Sequence, residues 1–215
     1  MAALRLLTCG LAIAAMGRSE DLQTWSSAEV TVIDKSRARL QLSATARARD
    51  RLSALYDSRL AGVLTVPLSN RLAVRAAYLL RSVVPISGVR DRQNRYFFGP
   101  RFTALSGPVR LDLIGWYERH THVAAKPAFN RYKAGFDLER PRRTVSPFLS
   151  LETAILDRNL SRSRQMAGLR WRTVAGYDVE LGYQFEVLNI GSAWIPRHSV
   201  RSTFRWNPFA RVRRQ

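Results

Sequence analysis

The strongest constraint on this chain is an alternation of apolar and polar side chains that persists for ten or more residues at a time. Over 38–49 the sequence ARLQLSATARAR places Ala or Leu at every even position and Arg, Gln, Ser or Thr at every odd one. Successive side chains of a β-strand point to opposite faces, so this pattern indicates one apolar and one polar face. The alanines alone would favour a helix, but a helix would spread the arginines around its whole circumference.

The same alternation recurs along the chain and predicts strands near 22–33, 38–49, 53–66, 71–82, 94–105, 109–120, 129–139, 145–156, 161–173, 177–188 and 197–206. Strands of soluble proteins average about five or six residues, whereas a tilted membrane-spanning strand needs about 9–11. Because bacterial barrels usually have an even number of strands, 10 or 12 is expected. The sequence therefore predicts an all-β protein, an antiparallel up-and-down transmembrane β-barrel of about 10–12 strands.

The predicted connections also alternate in length. Short turns are expected at 34–37, 67–70, 106–108 and 174–176, and longer loops near 83–93, 121–128 and 189–196. Tight turns at one end and long loops at the other are typical of outer-membrane barrels.

The charge of the chain is +19, from 35 Lys and Arg against 16 Asp and Glu, and only three of the basic residues are lysine. An arginine on a lipid face at mid-depth costs about 2–4 kcal/mol, and an unpaired ion in a dry core is also costly. A wet lumen removes both penalties, so the polar faces are expected to point inward. Opposite charges on neighbouring strands can pair across the ladder. The predicted lumen charge network comprises Arg39, Arg71, Arg75, Arg110, Asp112, Glu118, Arg131, Asp137, Glu152, Arg170, Arg172, Asp178, Glu180, Glu186 and Arg201.

Further charged residues share the predicted inward face, namely Glu29, Arg47, Asp57, Arg59, Arg101, Lys133, Glu139 and Arg205. Aromatic side chains are expected to form girdles on the outer wall, at the level of the lipid headgroups. These are Trp25, Tyr56, Tyr78, Tyr96, Phe98, Tyr117, Tyr132, Trp171, Tyr177, Trp194 and Trp206.

The first residues are typical of an export signal. Arg5 precedes the apolar run LLTCGLAIAAMG, which is followed by polar RSED. This run is too short for a transmembrane helix and fits a cleaved secretory signal peptide. We therefore predict a signal peptide at 1–19, removed together with Cys9, and a barrel domain at 20–215.

Several segments resemble the domain-of-unknown-function 2490 family, which consists of predicted outer-membrane β-barrels of Gram-negative bacteria. The similar segments are Asp21-Leu22-Gln23-Thr24-Trp25, the turn with Lys35 and Arg37, Asn94-Arg95-Tyr96, Gly99-Pro100-Arg101-Phe102, Ser146-Pro147-Phe148-Leu149-Ser150-Leu151-Glu152 and Asp178-Val179-Glu180-Leu181-Gly182-Tyr183-Gln184-Phe185. The resemblance implies a barrel fold and an outer-membrane location, and it implies no catalytic residues.

Catalytic signals are few. His120 and His122 share a face with Glu118 and could form half of a metal site, although an exposed pair in a loop is the simpler interpretation. His198 and Ser199 are adjacent and point to opposite faces, so they cannot form a dyad. No metalloprotease, nucleophile-elbow, dithiol or phosphate-loop motif occurs. The sequence therefore predicts neither a metal nor a cofactor, and it favours a protein that is not an enzyme.

The function expected from these features is that of a structural barrel or a narrow, porin-like channel with a charge-filled lumen that favours anions. The alternatives are an outer-membrane enzyme that modifies lipid A or phospholipid, and a secreted soluble β-barrel carrier. Nucleic acid is not an expected partner, because the arginines are spread along every strand rather than gathered in one patch. The expected partners are outer-membrane lipid, lipopolysaccharide and the barrel-assembly machinery.

Overall fold

The computed structural model describes residues 22–49, 54–84, 90–123, 127–141, 144–156, 159–173, 176–190 and 193–209. The predicted signal peptide lies outside these residues. The described chain forms eleven strands in one closed barrel. They are β1 (Leu22–Lys35), β2 (Ala38–Arg49), β3 (Ala54–Pro67), β4 (Leu72–Val83), β5 (Asp91–Leu105), β6 (Arg110–His122), β7 (Phe129–Glu139), β8 (Val145–Leu156), β9 (Asn159–Arg172), β10 (Tyr177–Ile190) and β11 (Ala193–Trp206).

Consecutive strands pair in antiparallel fashion, and β1 closes the barrel against β11 in parallel. The closing register places Trp25 beside Arg201 and Glu29 beside Arg205. The eleven described strands confirm the predicted barrel of about 10–12 strands, but the preference for an even number is wrong. In an odd-numbered meander the first and last strands run in the same direction, so closure requires this parallel pair.

The predicted strand positions agree closely with the structure, but the predicted loop at 189–196 is wrong. There β10 and β11 continue as a hairpin, with Leu188 opposite Ile195 and Asn189 opposite Trp194. Pro196 lies within β11 opposite Val187. Ladder pairing of the flanking residues therefore extends both strands past the proline.

The expected separation of short turns from long loops is only partly present. We call the barrel end with connections 36–37, 68–71, 106–109, 140–144 and 173–176 rim 1, and the other end rim 2. Rim 2 has two longer connections, at 84–90 and 123–128, but also the two-residue connections 157–158 and 191–192.

The two faces of the strands differ as the alternation requires. The outer wall exposes large apolar side chains, such as Leu60 at 60% and Phe98 at 59% exposure. The interior instead buries charged and polar groups, including Asp57, Glu118 and Gln184 at 0% exposure. A soluble protein usually buries apolar side chains and exposes charged ones. The opposite arrangement seen here is that of a membrane-type barrel. Among the described residues no helix is long and apolar enough to cross a membrane.

Aromatic side chains form a continuous row on the outer wall across β4–β7. Tyr78 packs on Tyr96, with ring centroids 5.2 Å apart, and Tyr117 packs on Tyr132 at 5.5 Å. Phe98 lies directly opposite Tyr117 in the ladder and shares the outward face of β5 with Tyr96. Trp25 does not belong to this surface, contrary to expectation, because it points into the lumen and is only 4% exposed.

Candidate functional site: the charged lumen

The lumen contains one buried ion-pair cluster where β6 faces β7. Glu118 accepts hydrogen bonds from Arg131, whose Nε lies 2.8 Å from Oε2, and it also pairs with Lys133. His120 Nε2 lies 2.8 Å from the same carboxylate. Residues 118 and 120 share one face of β6, and residues 131 and 133 share one face of β7. Glu118 lies directly opposite Arg131 in the ladder, so all four side chains point inward. We call these four residues the Glu118 cluster.

A second cluster lies on β8–β10 and continues the first. Glu152 accepts a hydrogen bond from Arg162 at 2.5 Å, and Glu186 accepts one from Arg164 at 2.8 Å. We call Glu152, Arg162, Arg164 and Glu186 the Glu186 cluster. Lys133 Nζ lies 3.7 Å from Glu152 Oε2, and this contact links the Glu186 cluster to the Glu118 cluster. The pairing of β9 cations with β10 carboxylates is the cross-strand arrangement that the sequence predicts.

Nearer rim 1, Glu180 and Glu139 both pair with arginines of β9, and Glu180 also pairs with an arginine of β11. Arg170 donates to Glu180 at 2.7 Å and to Glu139 at 2.6 Å, and Arg205 donates to Glu180 at 2.8 Å. Arg172 pairs with Glu139 and donates to Ser146 Oγ at 2.7 Å. Asp178 lies in the same register, opposite both Arg172 and Arg205.

The remaining predicted network residues lie around rim 1 in different environments. Asp112 accepts hydrogen bonds from Arg101, Thr103 and Arg110 at 2.5, 2.6 and 2.9 Å. Arg39 pairs with Asp34 at 3.2 Å. Arg71 lies exposed in the β3–β4 turn, outside these clusters.

Several network residues, Arg75 and Asp137 among them, make no ion pair with another described residue. Arg75 instead lies over the ring of Trp116, with its guanidinium carbon 4.1 Å from the centroid. Asp137 is exposed on the wall of an internal cavity, and in the ladder it faces Asp112, a residue of like charge.

Sequence reasoning missed part of a further cluster at rim 2. Asp57 is fully buried and is shared by three guanidiniums, those of Arg59 at 2.7 Å, Arg81 at 2.8 Å and Arg47 at 3.3 Å. Arg81 also donates to Gln93, which accepts a hydrogen bond from Arg95 at 2.6 Å. Arg81 and Arg95 lie within the predicted strands 71–82 and 94–105 and have the same parity as Arg75 and Arg101, so the alternation could have assigned both to the lumen.

Trp25 is the aromatic centre of the lumen, and arginines from four other strands, β2, β3, β9 and β11, surround its ring. The guanidinium carbons of Arg47, Arg164, Arg59 and Arg201 lie 3.0, 4.9, 5.6 and 6.0 Å from the ring centroid. A guanidinium over an indole face is an attractive cation–π contact. We call these five residues the Trp25 cluster.

A cavity of about 260 Å³ remains inside the barrel. Cations and carboxylates both line it, including Arg101, Asp137, Glu180, Arg164, Arg201 and Arg205. The described interior therefore combines packed ion pairs with one polar chamber.

The histidines do not assemble a catalytic or metal site. The expectation of an exposed loop pair is wrong, because both side chains lie inside the barrel, His120 almost fully buried beside Glu118 and His122 3.2 Å from Asp91. No group of three or more His, Cys, Asp or Glu in the described ranges could hold a metal ion. His198 contacts Tyr183 on the outer wall, whereas Ser199 points inward and accepts a hydrogen bond from Gln184 at 3.2 Å, so these neighbours form no dyad.

No protein-family model matches this chain, and no curated protein matches it. Among solved structures, the β-domain of the Bordetella autotransporter BrkA is similar, with a TM-score of 0.52 and 10% sequence identity. The match covers 86% of this chain and 96% of that one. Likeness at this identity is a likeness of fold, and this chain accordingly has an outer-membrane-type β-barrel fold.

Proposed function

We propose that the protein is a barrel of the bacterial outer membrane whose lumen is closed at rest and admits only small ions, with anions preferred. The observation that supports this most strongly is the burial of ion pairs inside the barrel. Glu118 has 0% exposure, whereas a carboxylate on the wall of a wide pore would be in contact with water. The side chains of the Glu118 and Trp25 clusters project into the interior, so we expect no open path for a large hydrophilic solute.

The preference for anions follows from the composition of the clusters. Asp57 is shared by three arginines, and Arg75 and Arg201 have no carboxylate partner among the described residues. The local potential at these positions is therefore positive, which attracts anions and repels cations.

The cellular setting is part of the same proposal. The apolar wall fits lipid and lipopolysaccharide, and the barrel-assembly machinery would insert it after removal of the signal peptide at 1–19. The likeness to an autotransporter β-domain and the segments that resemble the domain-of-unknown-function 2490 family support this setting. A soluble carrier fits less well because its interior would be apolar. A lipid-modifying enzyme also fits less well, because His120 and His122 are held inside the lumen.

Planar-bilayer recording tests the closed lumen. We expect the wild-type protein to show little or no steady conductance, and any residual current in a potassium chloride gradient to reverse at a potential that indicates chloride preference. The double variant Arg164→Ala/Glu186→Ala removes both members of one ion pair and should increase the conductance. Arg119→Gln changes a charge on the outer wall and should leave the conductance unchanged.

Large, stable channels in the wild-type protein, or a preference for potassium, would contradict the proposal. The location has a separate test. A folded barrel migrates faster in an unheated detergent gel than after boiling, and equal mobility together with recovery in the soluble periplasmic fraction would rule out the membrane assignment.

A further inference from the structure

The Trp25 cluster contains an arginine whose binding edge is free. Arg47 is 6% exposed, its guanidinium carbon lies 3.0 Å from the Trp25 ring centroid, and its Nη1 is 3.3 Å from Asp57. Its Nε and Nη2 are buried and have no hydrogen-bond partner. Buried donors without an acceptor are uncommon in folded proteins and are costly.

The two free donors of Arg47 belong to one edge of the guanidinium. An arginine binds a carboxylate through the parallel Nε–H and Nη2–H groups, as Arg59 does with Asp57 at 3.1 and 2.7 Å. Arg47 presents the same pair of donors with no oxygens opposite them. The indole packs against this guanidinium and limits its movement, so the edge is held in place for a two-oxygen ligand.

A second unsatisfied arginine flanks the same ring. Arg201 has a buried Nε without a partner, makes no ion pair with a described residue and lies 6.0 Å from the Trp25 centroid. Arg201 and Arg164 also line the internal cavity of about 260 Å³. A small solute in this cavity would therefore lie beside the Trp25 cluster.

The carboxylates beside the Trp25 cluster, Asp57 and Glu186, are each shared between arginines. Asp57 is shared with Arg59 and Arg81, and Glu186 is shared by Arg162 and Arg164. Positive charge consequently exceeds negative charge around the indole. Guanidiniums taken out of water need a compensating anion.

We infer that the Trp25 cluster is a binding site for a small oxyanion, a phosphate or carboxylate group that offers two oxygens to the free edge of Arg47. Arg201 supplies a further donor from the cavity side, and Trp25 packs against the Arg47 guanidinium. This inference rests on the proposed polar lumen. It adds one defined position at which a permeating or resident anion binds.

Calorimetric titration of the refolded, detergent-solubilised full barrel with inorganic phosphate tests the site. Titrations with potassium chloride at equal ionic strength account for general screening. We expect saturable binding in the wild-type protein. Arg47→Lys keeps the cation but removes the two-donor edge, and it should weaken phosphate binding by about tenfold or more, the usual effect of losing a charge-assisted hydrogen bond.

Arg201→Gln should weaken binding as well, and it disturbs no ion pair, so it decides the question if Arg47→Lys fails to fold. Arg119→Gln makes the same change of charge on the outer wall and should bind like the wild type. Unheated gel mobility verifies folding of each variant. Absence of saturable binding in the folded wild type, or unchanged affinity in both lumen variants, would overturn the inference. Neither outcome depends on whether the barrel conducts.

Discussion

Replacing Glu118 tests whether buried ion pairs hold this barrel together. The change Glu118→Gln leaves Arg131 and Lys133 without their shared counter-charge in a position with 0% exposure. Breaking a buried pair by removing one partner costs about 3–5 kcal/mol. We therefore expect the free energy of unfolding to fall by an amount in that range, measured by urea titration of the protein in lipid vesicles with tryptophan fluorescence and gel mobility as readouts.

Asp137→Asn is the matched control, because it removes a lumen carboxylate that makes no ion pair with a described residue. Asp137 also faces Asp112 in the ladder, and like charges directly opposite each other are destabilising by about 0.2–1 kcal/mol. This variant should therefore be as stable as the wild type or slightly more stable. A loss below about 1 kcal/mol in Glu118→Gln, or equal losses in both variants, would refute the reasoning that pairing, rather than charge alone, stabilises the lumen.

Two further predictions concern the barrel wall. Leu60→Arg places a charge on the exposed outer wall and should lower the free energy of unfolding in vesicles by about 2–4 kcal/mol. Leu60→Ala should lower it less. Equal urea midpoints for the two variants would contradict an apolar environment at this position. Gly168→Ala should reduce the yield of refolded, heat-modifiable barrel, because a Cβ there would overlap the Leu181 carbonyl. Gly62→Ala should refold normally, since its Cβ would meet only Leu42 at an ordinary 3.4 Å, and similar yields of both glycine variants would argue against this packing.

The strand positions could be predicted because each strand faces two different environments. Alternation then appears in every segment, and the ranges 38–49, 129–139 and 145–156 match β2, β7 and β8. The strand number was less predictable because it depends on how the last strand meets the first. Nothing local in β1 or β11 indicates that they pair in parallel.

The face of a charged residue could also be predicted, but its partner could not. Trp25 has the same parity as Glu29, which was expected inside, yet its amphipathic ring favoured the girdle interpretation. Its contact with Arg164 joins β1 to β9 across the lumen, and such a contact depends on barrel diameter and register rather than on sequence spacing. The sharing of Asp57 by three arginines likewise depends on the offsets of the β2–β3 and β3–β4 ladders.

The central claim is that ionic side chains face the lumen while leucines face lipid, and site-directed spin labelling measures this most directly. Val63 and Leu64 are neighbours on β3 that point to opposite faces. Each would be changed to Cys in a chain without Cys9, labelled, and placed in vesicles. We predict that the label at 64 is relaxed strongly by oxygen, which is lipid-soluble, and the label at 63 is not. Stronger oxygen relaxation at 63 than at 64 would contradict the account.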